Sequence, residues 1–344
     1  LDVDANSTVS SLTVAHTTPV SIASGKTLSG AITVTAGSIK LGEAGTLGST
    51  VSMSGGTLDA DESMTVSGAL TQGGAITIDV ASGKTLTYSG AAVSLGANTL
   101  TMSGEGAFSN SNALDLNNAS SKLLLSSSIT VGSVSTSADN LGLDVDDDST
   151  VSSLTVADTT PVSIASGKTL SGAITVTAGS IKLDEAGTLA STVSMSGGTM
   201  DADESSTVSG ALSHTANITI DVASGKTLTY SGTALSLGAY TLTLSGGGNL
   251  VSGGLTLNNA SSKLLLDSIT VDNVSTSLAS LGLDVDNNST VSSLSVGHTT
   301  PVSIASGKTL SGAITVTAGS VKLDETGTLG STVSMSGGTL DADN

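Results

Sequence analysis

The sequence predicts an all-β protein, an elongated β-solenoid (β-helix) of coils about 19–20 residues long. Three observations carry this. LDVDANSTVSSLTVAHTTPVSIASGKTLSGAITVTAGS starts at Leu1 and returns almost unchanged at Leu143 and Leu283. Within each copy, apolar-x-apolar triplets recur at a much shorter spacing, the alternation of a strand with one buried face. No useful length of chain shows a helical period.

The triplets of the first copy are Leu1-Asp2-Val3, Val20-Ser21-Ile22, Ile39-Lys40-Leu41, Leu58-Asp59-Ala60, Ile78-Asp79-Val80, Val93-Ser94-Leu95 and Leu114-Asp115-Leu116. Most are spaced by roughly one coil. The step into Val93 is shorter, and the step from Leu114 to Leu143 is long enough to hide an eighth coil. After a polar or glycine turn each triplet is followed by a second strand: Lys26-Thr27-Leu28, Gly45-Thr46-Leu47, Met64-Thr65-Val66, Lys84-Thr85-Leu86, Asn98-Thr99-Leu100. A third strand often follows, as in Ala31-Ile32-Thr33-Val34. Pro19, Pro161 and Pro301 fall at one equivalent position, just before a strand, where a missing N–H is tolerated. Two or three short strands per coil cannot bury an apolar face alone, so coils must stack. At ~4.8 Å per stacked strand, roughly 17 coils would make a rod about 80 Å long, and one long repeat unit would span about 34–38 Å. Residues 1–142, 143–282 and 283–344 are thus read as two repeat units and a partial third in one continuous solenoid, right-handed by the crossover preference.

Differences between copies respect this scheme. Ile39 becomes Ile181 and Val321, Leu58 becomes Met200 and Leu340, and Val93 becomes Leu235: volume adjustments in a thin aliphatic core. Turn positions vary freely, Ala5 to Asp147 and Asn287, His16 to Asp158 and His298.

Composition narrows the function. The net charge is −19, with 29 acidic residues against ten basic ones, all lysine. There is no arginine, cysteine or tryptophan, one phenylalanine (Phe108) and three tyrosines. Hot spots and phosphate sites favour arginine and aromatics, and nucleic acid demands basic stripes, so nucleic-acid binding is not expected. No apolar run approaches the ~20 residues of a membrane span. The chain has neither an initiator Met nor a signal peptide and reads as a window on a longer mature protein.

Gly96-Ala97-Asn98-Thr99-Leu100-Thr101-Met102-Ser103-Gly104 and Gly238-Ala239-Tyr240-Thr241-Leu242-Thr243-Leu244-Ser245-Gly246 are similar to phrases of autotransporter-passenger strand repeats. The Gly/Ser/Thr/Asn style of the whole chain also resembles filamentous-haemagglutinin-like proteins and giant repeat adhesins, all bacterial surface β-solenoid repeat proteins. The resemblance implies a stalk, adhesin or surface fibre outside a bacterial cell and carries no catalytic residues. The near-identity of the long units leans towards a fibre or stalk, with self-association or a longer array of the same repeat as its partnership. The alternative is the stalk or binding module of a surface adhesin recognising a glycan or surface ligand, with the segments Gly104–Asn112 and Gly246–Gly254 as the place to look.

Candidate chemistry is sparse, and no enzyme is expected. Asp2-Val3-Asp4, Asp144-Val145-Asp146-Asp147-Asp148 and Asp284-Val285-Asp286 have the spacing of oxygen ligands in calcium loops. They read either as solvated acidic turns or as weak Ca2+ sites, best at Asp144, Asp146, Asp147 and Asp148; the turn glycine and distal glutamate of an EF-hand are missing. Lys26, Lys84, Lys168, Lys226 and Lys308 each sit in SGKTL, which lacks the upstream glycine of a phosphate loop. Those lysines are expected to balance stacked acids, and Lys40 to lie in an outward ladder between Ser21 and Asp59. His16, His214 and His298 read as exposed loop residues, and no Ser/His/Asp set is recognisable. Thr33-x-Thr35, Thr85-x-Thr87 and Thr99-x-Thr101 raise ice binding, but they do not recur on every coil. The N-x-S/T sequons at Asn6, Asn118, Asn217, Asn259, Asn273 and Asn288 could carry glycans.

Overall fold

The computed structural model describes residues 1–323 and 326–341, so the end of the third repeat, 342–344, lies outside the described residues. All regular elements among the described residues are strands. Among the described residues no helix is long and apolar enough to cross a membrane. The chain divides into two units, Leu1–Ile174 and Thr175–Asn344, and the division falls inside the strand Thr169–Val176 rather than at a repeat boundary.

Each unit is a parallel β-solenoid. In the first, one face is made by Asp2–Val3, Thr18–Ile22, Ser38–Leu41, Thr57–Ala60, Ile76–Val80, Thr99–Ser103, Lys122–Leu125, Gly142–Val145 and Thr160–Ile164, each parallel to the next. The second unit builds the same face from Ser180–Leu183 through Thr339–Asp341. Two further faces complete each coil. In the first unit Thr46–Leu47, Met64–Val66, Thr85–Tyr88 and Ala107–Asn110 stack on face two. Thr50–Met53 and Leu70–Gln72 stack on face three, as do Val93–Ser94 and Leu114–Leu116. In some coils the two are fused into one bent strand, as in Thr27–Val34 and Thr130–Thr136.

The bend has a backbone cause. Ser7–Val14 and Thr27–Val34 lose register between Val9 and Leu12, and opposite that bulge sits Gly30 at φ +118°. A Cβ there would collide with the carbonyl oxygen of Val9. Gly172 and Gly312 repeat the geometry against Val151 and Val291.

Alternation fills the core. In Ser38–Leu41, Ile39 and Leu41 are fully buried while Ser38 and Lys40 face out. Ile39 stacks on Leu58, then Ile78, Met102, Leu125, Val145 and Ile164, one unbroken buried aliphatic column. Neighbours in such a column sit one strand spacing apart, close enough for continuous dispersion contact.

Several expectations need correction. Val93–Ser94 and Leu114–Leu116 belong to face three, not to the first face. The first-face strands that follow them are Thr99–Ser103, expected as a second strand, and Lys122–Leu125, read as none. Apolar-x-apolar spacing marks a strand but carries no label for its face, and the run Leu123-Leu124-Leu125 masks its own alternation. With these assigned, Ile78 stacks on Met102 and Met102 on Leu125, so these coils are longer than those before them. Seven coils separate Asp2–Val3 from its equivalent Gly142–Val145, and no eighth is hidden. The prolines are the second residues of strands (Thr18–Ile22, Thr160–Ile164, Thr300–Ile304), not residues preceding them. Lys40 lies beside Pro19, not Ser21, because the register slips by two residues and so preserves which side chains point inward. The segment Gly104–Asn112, expected as a loop, is part of a regular coil: it holds the face-two strand Ala107–Asn110, with Phe108 buried.

Candidate functional site

The charged side chains gather on the first face and on the corner that follows it. Lys40, outward in Ser38–Leu41, lies in register with Asp59 of the next coil. Its Nζ is 3.1 Å from Asp59 and 3.0 Å from Asp61, which sits just past the strand end. Lys182, Asp201 and Asp203 repeat the arrangement at 3.1 and 3.0 Å in the second unit. The next position of the column is Asp79, in register with Asp59, and the Ser103 hydroxyl donates to its carboxylate. Asp221 and Ser245 do the same.

This stacking sets the protonation behaviour. Partial burial raises the Asp59 pKa; Lys40 pulls it down, but the carboxylates of Asp61 and Asp79 push it up again, and the net direction is upward. Asp201 follows for the same reasons, with Asp203 and Asp221 as its acidic neighbours. The lysines shift upward, Lys40 through Asp61 and then Asp59, Lys182 through Asp203 and then Asp201. The lysines hold their protons more tightly, while burial, helped by the neighbouring carboxylates, leaves Asp59 and Asp201 easier to protonate in spite of the lysine beside them.

The corner lysines make similar contacts. Lys84 meets Glu62 and Lys226 meets Glu204, both at 2.6 Å. On the first face itself Lys122 meets Asp144 at 2.6 Å, and Lys263 meets Asp284. The SGKTL lysines sit at the end of a tight turn: the Lys26 N–H donates to the Ala23 carbonyl at 2.9 Å, and Gly25 between them has φ +72°. Lys84, Lys168, Lys226 and Lys308 close the same turn.

The structure separates the four calcium candidates. Asp144 faces outward from the strand Gly142–Val145 and is held by Lys122. Asp147 lies in the following turn, 2.6 Å from Lys168, and accepts the Asp148 N–H at 2.9 Å. Lys168 and this N–H hold the Asp147 pKa below the usual carboxylate range. Asp146 and Asp148 are not brought to either ion pair, and both are exposed. Among the described residues no three or more His, Asp or Glu side chains are grouped to hold a metal ion. Ala5 and Asn287 occupy the Asp147 position in the other copies, so this ion pair belongs to one copy of the repeat.

His16 and His298 are exposed turn residues, but His214 is not. It ends the strand Leu212–His214, half-buried, with Nδ1 3.0 Å from the Ala216 carbonyl and its ring edge-on to Tyr240 at 5.7 Å. The threonine pairs do not share a face: Thr99 and Thr101 lie on face one, Thr85 and Thr87 on face two. Sequence reasoning missed the pairing of Asp61 with Lys40 and of Asp203 with Lys182, which depends on the corner. It also missed the concentration of charge on one side. Both follow from strand assignment, and a charge count per strand would have exposed the second. No protein-family model matches the sequence, and no curated protein or solved structure matches it.

Proposed function

We propose that this chain is the structural repeat region of an extracellular bacterial fibre, stalk or sheath. One observation carries the reading: the long sequence repeat corresponds to a whole number of coils. Val3 stacks on Ile22, Val145 on Ile164 and Val285 on Ile304, so each new copy begins on the same face in the same register. An array of such units lengthens by repeating one set of contacts, which suits a chain selected for reach. The charge of −19 suits it further, keeping neighbouring molecules soluble. Seven coils at ~4.8 Å give a unit of about 34 Å. Electron microscopy of the native material, labelled with an antibody to the chain, tests this. Long uniform filaments carrying both spacings are expected; short rods ending in a globular tip would move the function to that tip.

A further inference from the structure

Charge is divided unevenly around each coil. In the first unit the first-face strands carry Asp2, Lys40, Asp59, Asp79, Lys122 and Asp144, while all the strands of faces two and three carry one charged residue, Asp115. In the second unit faces two and three again carry one, Asp272, whose carboxylate accepts the Ser252 N–H at 2.8 Å. The remaining outward positions there are small and mostly hydroxylic, as where Ser194 stacks on Ser213 and Thr207 on Thr229.

The exposed aliphatics lie on face two and on the corner that joins face three to the first face. Outside the first and last coils the exposed large apolar residues are Leu141, Val251, Leu278 and Leu281, at 55, 42, 50 and 56%. Val251 faces out from face two, in Asn249–Val251. Leu278 and Leu281 stand on the corner between Thr270–Thr276 and Gly282–Val285, and Leu141 on the equivalent corner of the first unit. The second unit's corner, Ser277-Leu278-Ala279-Ser280-Leu281, has lost the Asp139 of the first copy to Ala279.

We infer that faces two and three of the second unit, with the Leu278/Leu281 corner, form a lateral contact surface for a second copy of this chain. Charge selects the occupant. Two chains of −19 repel wherever carboxylates face each other, and this is the side on which they can touch almost without doing so. Small side chains let two sheets approach closely, and the leucines supply apolar area that is otherwise left in water. A two-fold pairing would bury the same patch on both chains. The inference deepens the fibre reading, adding a sideways contact to lengthwise stacking, and rests on it.

Sedimentation equilibrium of the purified chain over a range of concentrations tests it apart from the microscopy. A dimer is expected that strengthens at 0.5 M salt, because screening removes the residual repulsion. Leu278→Asp with Leu281→Asp should weaken it at least about tenfold, while Thr57→Glu on the charged face leaves it intact. Both leucines are at least half exposed, and circular dichroism confirms that the variants fold. A monomer at every concentration, a dimer weakened by salt, or association indifferent to the leucine variants, as end-to-end stacking would be, overturns the inference. Filaments with a monomeric purified chain would leave the fibre standing and remove only this contact.

Discussion

Asp59 and Asp79 occupy adjacent positions of one outward column, carboxylate beside carboxylate, and Lys40 pairs with Asp59. Like charges directly opposite across a strand pair are destabilising. Asp59, whose folded pKa is raised, contributes stability that is fully present below its unfolded pKa of about 3.8 and lost as pH rises through the folded value. Asp201 adds the same dependence. Asp147 works in the opposite direction: its contribution is present above the unfolded value and lost as pH falls through the lowered one. Melting temperature should therefore rise slightly on acidification from neutrality into the upper carboxylate range. Asp79→Asn should stabilise by about 0.5 kcal/mol and flatten that rise; an unchanged pH profile in this variant would contradict the account.

At the alkaline end the lysines decide. Lys40, Lys168 and Lys182 all have raised pKa values, so their contribution is complete below about 10.5 and disappears as pH climbs through the folded values. Thermal melts between pH 9 and 12, with Lys182→Met showing a smaller loss than the parent, would check this.

Tyr88 couples packing to hydrogen bonding. Its hydroxyl accepts the buried Leu70 N–H at 3.0 Å and donates to the Ala91 carbonyl at 2.7 Å, while its ring stacks on Phe108 at 6.1 Å. Tyr88→Phe strands a buried donor and should cost about 1–3 kcal/mol. Phe108→Ala should cost about 3–5 kcal/mol. In the second unit Leu250 stands where Phe108 does, and an apolar void of about 10 Å³ lies beside Tyr230. Phe108→Leu should accordingly cost only about 1–2 kcal/mol. Denaturant melts, read by hydrogen exchange at the coil concerned, measure each.

Gly30, Gly172 and Gly312 hold one bulge in three copies. Alanine at Gly172 combines a disfavoured φ of +124° with a collision against the Val151 carbonyl. The cost should be at least about 2–3 kcal/mol. Gly25, at φ +72° but with open space around its Cβ position, should lose only about 1 kcal/mol when changed to alanine. Comparing the two melts separates collision from backbone strain.

Calcium is the remaining chemical question. Two of the four aspartates at Asp144–Asp148 already hold lysines, so millimolar Ca2+ is expected to leave the melting temperature unchanged. Lys168→Ala frees Asp147, and a calcium-dependent rise confined to that variant would show that the lysine had taken the place of the ion. A rise in the parent chain would reinstate the site.

By itself the sequence determined that the chain is all-β, that it is built of short repeating coils, and that aliphatic side chains of the alternating strands fill most of the core, but not that Tyr88 and Phe108 are buried there. Those are properties of local alternation and of repetition, and Ile39, Leu58 and Ile78 stack as that alternation requires. Only the tertiary structure decided that Val93 and Leu114 line face three, that Lys40 lies beside Pro19, and that Asp61 reaches Lys40 around a corner. The physical reason is that a period of two fixes inside and outside along one strand and is blind to which neighbouring strand comes next. That choice is made by the turns, whose lengths must close each coil over the one beneath it, and closure is what gathers the charges on one side.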